Sequence, residues 1–233
     1  MEGFLLIDKL AGLTSHDVVD RVRRLSGERR VGHAGTLDPF ATGLLIVGVG
    51  RTATREMQKI VGLDKEYQAV FVLGATSDTD DTEGVIEVIE GIEVIGEEHI
   101  RDAMETFVGT IEQIPPTYSA IKVKGKKMYE AARKGQPIKA EPRTVRVDKF
   151  ALDSFAWPEL HTTITCGSGT YIRALARDLG EVLGVGGYVR NLQRTQIGPF
   201  TLQAAATLEE LEHHDASTRL IPVKTLLEQL PEA

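Results

Sequence analysis

The sequence is poor in cysteine, and it lacks the segments that direct a protein into or across a membrane. It has one cysteine, Cys166, among 233 residues, so it forms no internal disulfide and fits a reducing compartment. No apolar run approaches the roughly 20 residues that span a bilayer. The N-terminus has neither the basic region nor the long apolar segment of a signal peptide. We therefore expect a cytoplasmic protein without membrane contact.

Motifs that bind nucleotide cofactors or metals are missing as well. The stretch GSGTYI at 167–172 lacks the third glycine of a dinucleotide loop, and no glycine-rich segment ends in the Gly-Lys-Ser/Thr of a phosphate loop. The acidic run DTDDTEG at 78–84 has Glu83 where a calcium loop needs glycine. One cysteine and six scattered histidines do not match the spacing of a zinc site. We expect no cofactor and no metal, and we expect Cys166 to be a buried structural thiol.

The charge balance is acidic, with 27 basic and 34 acidic residues and a net charge of −7. Taken alone, this argues against a nucleic-acid partner, because phosphates attract Lys and Arg. The basic residues nevertheless cluster in two segments. They are Arg21, Arg23, Arg24, Arg29 and Arg30 in the first, and Lys122, Lys124, Lys126 and Lys127 in the second. Solvated helix faces are the general alternative for such clusters.

Hydrophobic periodicity predicts an α+β fold with a mixed or antiparallel sheet. The predicted strands are 4–8, 44–49, 67–74, 143–157, 159–166 and 189–200, and 85–95 alternates with the period of a strand. The predicted helices are 13–27, 51–61, 97–109 and 171–184, followed by two short C-terminal helices. In the first helix Thr14 or Ser15 can cap the N-terminus, Asp17 suits the first turn, and Gly27 can end it.

One loop combines imposed backbone geometry with a single charge. The stretch GHAGTLDPFATG at 32–43 holds three glycines and a proline, which disfavour helix and strand interiors. Its only charged residue is Asp38, and His33 is its only histidine. Three further segments stand out, at 65–84, 113–135 and 166–180. In the second of them Tyr118 and Tyr129 are interleaved with a basic stretch, a pattern that suits base stacking beside phosphate contacts.

Together these segments resemble the TruB family of tRNA pseudouridine synthases over about residues 3–200. GHAGTLDPFATGLL resembles the catalytic motif of that family, and NLQRTQIGPF at 191–200 matches in the expected order. LIDKLAGLTSHDVV at 6–19 matches the N-terminal motif, with Leu10 where proline is usual. The resemblance implies a central mixed, largely antiparallel β-sheet flanked by helices, with an RNA-binding cleft. It also implies a cofactor-free enzyme that converts uridine 55 in the T-arm stem-loop of tRNA to pseudouridine, and we expect a monomer.

The resemblance assigns the reaction to three residues. Asp38 would be the nucleophile, which adds either to C1′ of the ribose or to C6 of the uracil and later leaves. Arg173 would pair with Asp38 and keep it ionised. Tyr67 would stack on the uracil, and its hydroxyl would help the proton leave C5.

Five further residues are implied as substrate contacts. His33 would occupy the space that the flipped base leaves, and Tyr171 would stack on the uracil from the other side. Leu192 would contact the uracil or the ribose. Asp81 would hold the network around the site, and Lys9 would touch phosphates.

Plain structural interpretations stay open beside these roles. Asp38 before proline is a common turn, and His33 could be a turn histidine. Tyr67, Tyr171 and Leu192 could be core residues. Asp81 could be a solvated loop residue and Arg173 an exposed arginine, although cations are unfavourable in the first turn of a helix.

Two other functions would use the same segments. A non-catalytic RNA-binding protein could be built on the same cleft, but it gains nothing from a carboxylate that faces phosphates. An acid–base hydrolase could use His33 and Asp38, but the sequence designates no second carboxylate and no nucleophile–base pair. We expect one catalytic domain over 1–233, with an inserted basic RNA-contacting segment around 113–143. The family's C-terminal RNA-binding domain of the PUA type is expected to be absent.

Overall fold

The computed structural model describes residues 2–119, 121–123, 126–132, 135–136, 138, 140–213 and 216–231. The chain divides into two compact units. The first unit comprises 1–68 and 192–233, and the second unit comprises 69–191. No helix in the described ranges has the length and apolar character needed to cross a membrane.

Strands and helices alternate irregularly along the chain. The strands are β1 Gly3–Lys9, β2 Val31–His33, β3 Thr42–Val49, β4 Lys65–Leu73, β5 Ala75–Ser77, β6 Ile86–Val88, β7 Gly109–Gln113, β8 Lys122–Val123, β9 Lys126–Lys127, β10 Arg143–Ala156, β11 Glu159–Cys166, β12 Gly187–Ile197, β13 Phe200–Thr201 and β14 Ala206–Thr207. The helices are α1 Ser15–Ser26, α2 Gly50–Val61, α3 Glu97–Glu105, α4 Met128–Ala132, α5 Ile172–Val182, α6 Leu208–His213 and α7 Val223–Leu227. The predicted α+β class with mixed, mostly antiparallel pairing is confirmed, as are four main helices and two short C-terminal ones.

The sheet of the first unit has β14, β1, β3 and β12 in that order, with β2 paired to β3 and β13 to β12. β1 and β3 are antiparallel from Gly3↔Val49 to Lys9↔Gly43. The pairs β1–β14 and β3–β12 are parallel. β3 is therefore a central strand, and the loop that precedes it starts from the end of its neighbour β2.

Both faces of this sheet are buried, because β1 and β3 are apolar at successive positions. Leu5 and Ile7 pack with α1 and α6 on one face. Phe4 and Leu6 pack with α2 and α7 on the other. Burial on both faces explains the continuous apolar runs in these strands. In a strand with one exposed face, apolar and polar residues would alternate.

Helix α1 begins as its sequence predicts. The Thr14 side chain accepts from the backbone N–H of Asp17, and the Asp17 carboxylate accepts from the backbone N–H of Thr14 at 2.8 Å. This reciprocal capping box satisfies donors that a helix N-terminus leaves unpaired. The helix ends at Gly27, whose φ of 66° is left-handed.

Gly43 allows β3 and β12 to approach closely at the end of the loop that carries Asp38. Its φ is +100°, and a Cβ built on it would lie 2.4 Å from the carbonyl oxygen of Arg194. Gly43 also pairs with Arg194 in the parallel register. A larger residue here would strain the backbone and push β12 away.

The second unit contains the end of β4 from Ala69 onward, and β4, β11, β10 and β7 are hydrogen-bonded neighbours in that order. β10 and β11 form a long antiparallel pair with two register shifts. Phe150 on β10 contacts Phe71 and Phe107 edge to face, with ring centroids 5.8 and 6.3 Å apart. α3 packs against β10 and α5.

The alternating stretch 85–95 forms much less strand than its pattern predicts. Only Ile86–Val88 is a strand, paired to β5 in a two-stranded hairpin. All three side chains are exposed. The turn at Gly91, with φ of 76°, ends the extended backbone. The prediction of a longer strand is wrong, because alternation alone does not supply a partner strand.

Candidate functional site

Asp38 lies on the loop 34–41 between β2 and β3, and a buried hydroxyl holds the residue before it. Ser15, the first residue of α1, is 2% exposed. Its Oγ donates to the carbonyl oxygen of Leu37 at 3.1 Å and accepts from the N–H of Leu37 at 2.9 Å. Both backbone polar groups of Leu37 are thereby fixed to α1. The peptide that leads into Asp38 has little freedom to rotate.

Lys9 holds the residue after Asp38. Its Nζ donates to the carbonyl oxygens of Leu13 at 2.8 Å, Leu10 at 3.0 Å and Pro39 at 3.2 Å, and the residue is fully buried. The N–H of Gly12 donates to the same Pro39 oxygen at 2.9 Å. The predicted contact between Lys9 and phosphates is wrong, because a buried ammonium that donates to three carbonyls is not presented to a ligand. Lys9 is part of the frame of the loop.

A second buried cation joins the two ends of the same loop. Arg194 on β12 is 1% exposed. Its Nε donates to the carbonyl oxygen of Leu44 at 2.8 Å, and its Nη2 donates to that of Gly35 at 3.1 Å. The guanidinium thus ties the start of the loop to the start of the following strand. Its charge also acts on the neighbouring His33.

His33 is the last residue of β2 and pairs with Val47, so the turn interpretation is wrong. The His16 ring meets it edge to face, with centroids 5.9 Å apart. Burial lowers the pKa of His33, and the charges of His16 and Arg194 lower it further. Its Nδ1 is buried and has no hydrogen-bond partner among the residues that the structure describes. The ring is therefore neutral at neutral pH.

Two further candidates of the first unit sit on strands. Tyr67 on β4 is 9% exposed, and Leu192 on β12 is 8% exposed. Such burial suits a ring and a side chain that close the wall of a pocket, and it equally suits core packing. Their contacts with substrate stay predictions.

In the second unit, α5 carries a buried arginine paired with a buried aspartate. Arg173 is 3% exposed and Asp81 is 2% exposed, and Nη1 lies 3.2 Å from Oδ2. Arg173 also donates to the carbonyl oxygens of Thr79 at 2.8 Å and Tyr118 at 3.0 Å. The interpretation of Arg173 as an exposed arginine is wrong. An ion pair buried with this many hydrogen bonds has a fixed geometry.

The Asp81 carboxylate has further partners inside its own loop. Its Oδ1 accepts from the Thr79 hydroxyl at 2.6 Å and from the N–H of Glu83 at 2.9 Å. The carbonyl oxygen of Asp81 accepts from the Ser77 hydroxyl at 2.6 Å. The solvated-loop interpretation of Asp81 is therefore wrong.

A second arginine binds the same loop one helical turn later. Arg177 Nη1 lies 3.0 Å from Asp80 Oδ2, and its Nη2 donates to the carbonyl oxygen of Ile114 at 2.7 Å. Asp80 has the left-handed φ of 61°. Burial raises its pKa, and Arg177 opposes that shift. Arg173 and Arg177 thus each join the aspartate loop to the segment that follows β7.

Tyr171 stands immediately before α5 and is partly buried. Its backbone N–H and carbonyl both bond to the side-chain amide of Gln113 on β7, at 2.8 and 3.1 Å. The second unit therefore supplies Asp81, Tyr171 and Arg173, and the first unit supplies the other five candidates. The pairing of Asp38 with Arg173 stays a prediction.

The structure describes the side chains of the first basic cluster but not those of the second. Arg21 pairs with Glu212 at 3.5 Å and Arg23 with Asp20 at 2.7 Å, so these two are partly neutralised. Arg24, Arg29 and Arg30 are exposed. In the second cluster Lys124 lies outside the described residues, as do the side chains of Lys122, Lys126 and Lys127.

Sequence reasoning missed the residues that hold the candidates in place. Ser15, Gln113, Arg177 and Arg194 each bond to backbone or to an acid far away in sequence. A weak signal existed for Ser15, because a second hydroxyl follows the Thr14 that caps the helix. Nothing local distinguishes the other three.

Known families match almost the whole chain. The N-terminal domain of TruB family pseudouridylate synthases matches residues 23–172. The C-terminal domain of tRNA pseudouridylate synthase B matches residues 173–229.

Curated relatives and solved structures agree with this match. tRNA pseudouridine synthase B of Thermobifida fusca is 47% identical over 90% of this chain and 74% of its own length. The protein of that name from Arthrobacter sp. (strain FB24) is 44% identical over 98% of this chain and 78% of its own. Among structures, a Cbf5-Nop10-Gar1 complex matches with a TM-score of 0.76 and 28% identity. An H/ACA RNP bound to a substrate RNA containing 2'-deoxyuridine matches with a TM-score of 0.73 and 26% identity. This chain aligns over 98% of its residues and spans 62% of each of those structural chains.

The lowered pKa of His33 predicts a pH-dependent stability. The folded state binds fewer protons at this ring than the unfolded state, in which the histidine has a pKa of about 6.5. The stabilising effect is complete above that value and is lost as the pH falls towards the lower folded pKa. His33→Gln should therefore flatten the dependence of Tm on pH between about pH 7 and about pH 5. Thermal unfolding measures this, with the exposed His99→Gln as control. An unchanged pH slope in His33→Gln would contradict it.

Proposed function

Because the chain belongs to the TruB family of pseudouridylate synthases, we propose that it isomerises uridine 55 in the T-loop of tRNA to pseudouridine. The substrate is the T-arm stem-loop, and the protein acts without a cofactor. The observation that carries the proposal is the rigid frame around a single carboxylate. Ser15 fixes the backbone before Asp38, and Lys9 fixes the backbone after it.

The chemistry asks for one nucleophile that can also leave. The bond between N1 of the uracil and C1′ of the ribose breaks, the uracil turns within the site, and C5 joins C1′. C5 loses its proton and N1 gains one, so the product is an isomer and needs no redox partner. Asp38 adds to C1′ or to C6 and is released at the end.

Preorganisation of Asp38 is the contribution of the loop. A carboxylate on a mobile loop would have to be ordered for each reaction, which costs conformational entropy. In this loop the ordering is done when the protein folds, by hydroxyl and ammonium groups that are themselves buried. The backbone on both sides of Asp38 is therefore ordered before the substrate binds.

The remaining residues act around the uracil. Tyr67 and Tyr171 stack on its two faces, and the Tyr67 hydroxyl assists loss of the C5 proton. Arg173 pairs with Asp38 and keeps it ionised, while Asp81 holds Arg173. His33, neutral because of burial, fills the space of the flipped base. Leu192 contacts the uracil or ribose.

The proposal is tested by mapping the product. Wild-type protein and Asp38→Asn are incubated with unmodified tRNA, and pseudouridine is located by carbodiimide labelling. Wild type should modify position 55, and Asp38→Asn should bind tRNA but form no product, because an amide is a far poorer nucleophile. Asp20→Asn is the control, since Asp20 is exposed and pairs with Arg23 on its own helix.

Three results would decide against parts of this proposal. No pseudouridine from wild type would favour an RNA-binding protein. Pseudouridine at another position would contradict the T-loop assignment. Turnover of Asp38→Asn within about tenfold of wild type, ~1.4 kcal/mol of barrier, would remove Asp38 from the nucleophile role.

Tyr67 is tested separately because two roles are proposed for it. Tyr67→Leu removes the stacking ring, and Tyr67→Phe removes only the hydroxyl. We expect kcat to fall more than about tenfold in both, since proton removal and stacking each contribute. Tyr188→Phe is the control, because Tyr188 is similarly buried in a core cluster. Wild-type rates in Tyr67→Phe alone would limit the residue to stacking, and wild-type rates in both would exclude Tyr67 from the site.

A further inference from the structure

Gln113 is a buried amide that no step of the proposed reaction uses. It is the last residue of β7 and is 1% exposed. Its Nε2 donates to the carbonyl oxygen of Tyr171 at 3.1 Å, and its Oε1 accepts from the N–H of Tyr171 at 2.8 Å. The orientation of the amide is fixed by the chemistry of the backbone, because an N–H only donates and a carbonyl only accepts.

Tyr171 is the residue at which the chain changes from extended to helical. It is the N-cap of α5, with φ of −102° and ψ of 112°, and its own side chain makes no capping hydrogen bond. Its carbonyl oxygen also accepts from the N–H of Leu175, the first bond of the helix. The Gln113 amide accepts from the N–H of the N-cap residue, as the N3 side chain of a capping box does, and it thereby fixes the backbone from which α5 begins.

The amide comes from a backbone that is itself anchored. Gln113 pairs with Arg143 in the antiparallel register of β7 and β10. The residues after it are held to α5 as well, since Ile114 accepts from Arg177 and Tyr118 accepts from Arg173. The start of α5 is thus joined to residues 113–118 at three places, half-buried at Gln113 and Tyr118 and exposed at Ile114. Gln113 alone among them bonds to Tyr171.

We propose that Gln113 is a positioning residue that fixes the backbone of Tyr171 and thereby the stacking face offered to the uracil. The role rests on the proposed function, because Tyr171 acts on the base only in that reaction. Gln113 itself touches no reacting atom. Its loss should therefore lower kcat and leave KM for tRNA nearly unchanged, since most of the affinity for tRNA comes from phosphate contacts.

A carboxyl group at position 113 distinguishes a hydrogen-bonding role of this side chain from a general packing role. In Gln113→Glu the protonated acid can donate to one backbone group of Tyr171 and accept from the other, as the amide does. The ionised carboxylate can only accept, and it repels the Tyr171 carbonyl. Burial raises the pKa of a carboxyl group, so the change falls within an accessible pH range.

The measurement is kcat and KM of Gln113→Glu, Gln113→Leu and wild type on tRNA from about pH 6 to about pH 9. The ratio of variant to wild-type kcat should fall about tenfold or more with rising pH for Gln113→Glu. For Gln113→Leu it should be about tenfold low throughout. Gln196→Glu is the matched control, because its amide also donates to a backbone carbonyl, that of Gly198 at 2.7 Å. Its ratio to wild type should not change with pH.

The outcomes separate this proposal from the proposed function. A pH-independent ratio for Gln113→Glu, or a fall in kcat that follows a loss of folded protein in thermal unfolding, would overturn the positioning role. A rise in KM without a fall in kcat would also overturn it. Absence of pseudouridine from wild type would instead refute the proposed function. In that case the difference in Tm between Gln113→Glu and wild type should still grow with pH if the amide holds Tyr171.

Discussion

The candidate site depends on the two hydrogen bonds between the Ser15 hydroxyl and the backbone of Leu37. A single hydroxyl both donates to and accepts from one residue, and Ser15 is buried, so that little water competes for these bonds. The loop around it contains turns that glycine permits, and Leu37 is itself buried, so these two bonds fix a backbone that has no access to water. Because Ser15 opens α1 and α1 packs on the first sheet, the position of Asp38 is set by the core of the first unit.

The second unit uses the same physical device with different groups. Buried side chains bond to backbone in both places, Gln113 to Tyr171 and Arg173 to Thr79 and Tyr118. Each such bond satisfies a buried polar group and restrains the chain near a candidate residue. The candidate residues are therefore rigid for reasons that lie outside their own side chains. In enzymes generally, such preorganisation carries much of the catalytic effect.

The sequence predicted elements best where the signal is local. Continuous apolar runs in β1 and β3, and the Thr14–Asp17 capping box, depend on neighbours along the chain. The alternation at 85–95 wrongly predicts a long strand, because a strand also needs a neighbouring strand to pair with. Candidate residues came from motif resemblance. Lys9 was misassigned because charge does not reveal burial, and Gln113 was missed because its partner is 58 positions away. Contacts of that range exist only after folding.

The most direct measurement of the central claim is the single-turnover rate of pseudouridine formation by Ser15→Ala at saturating tRNA. The account predicts a rate lower by about tenfold or more, since two buried backbone groups lose their partner, with tRNA affinity within about threefold. Ser26→Ala is the matched control, because that hydroxyl lies on the same helix and donates to the Val22 carbonyl at 2.7 Å. A wild-type rate for Ser15→Ala, or an equal loss of rate in Ser26→Ala, would contradict the claim that the hydrogen bonds between Ser15 and Leu37 position Asp38.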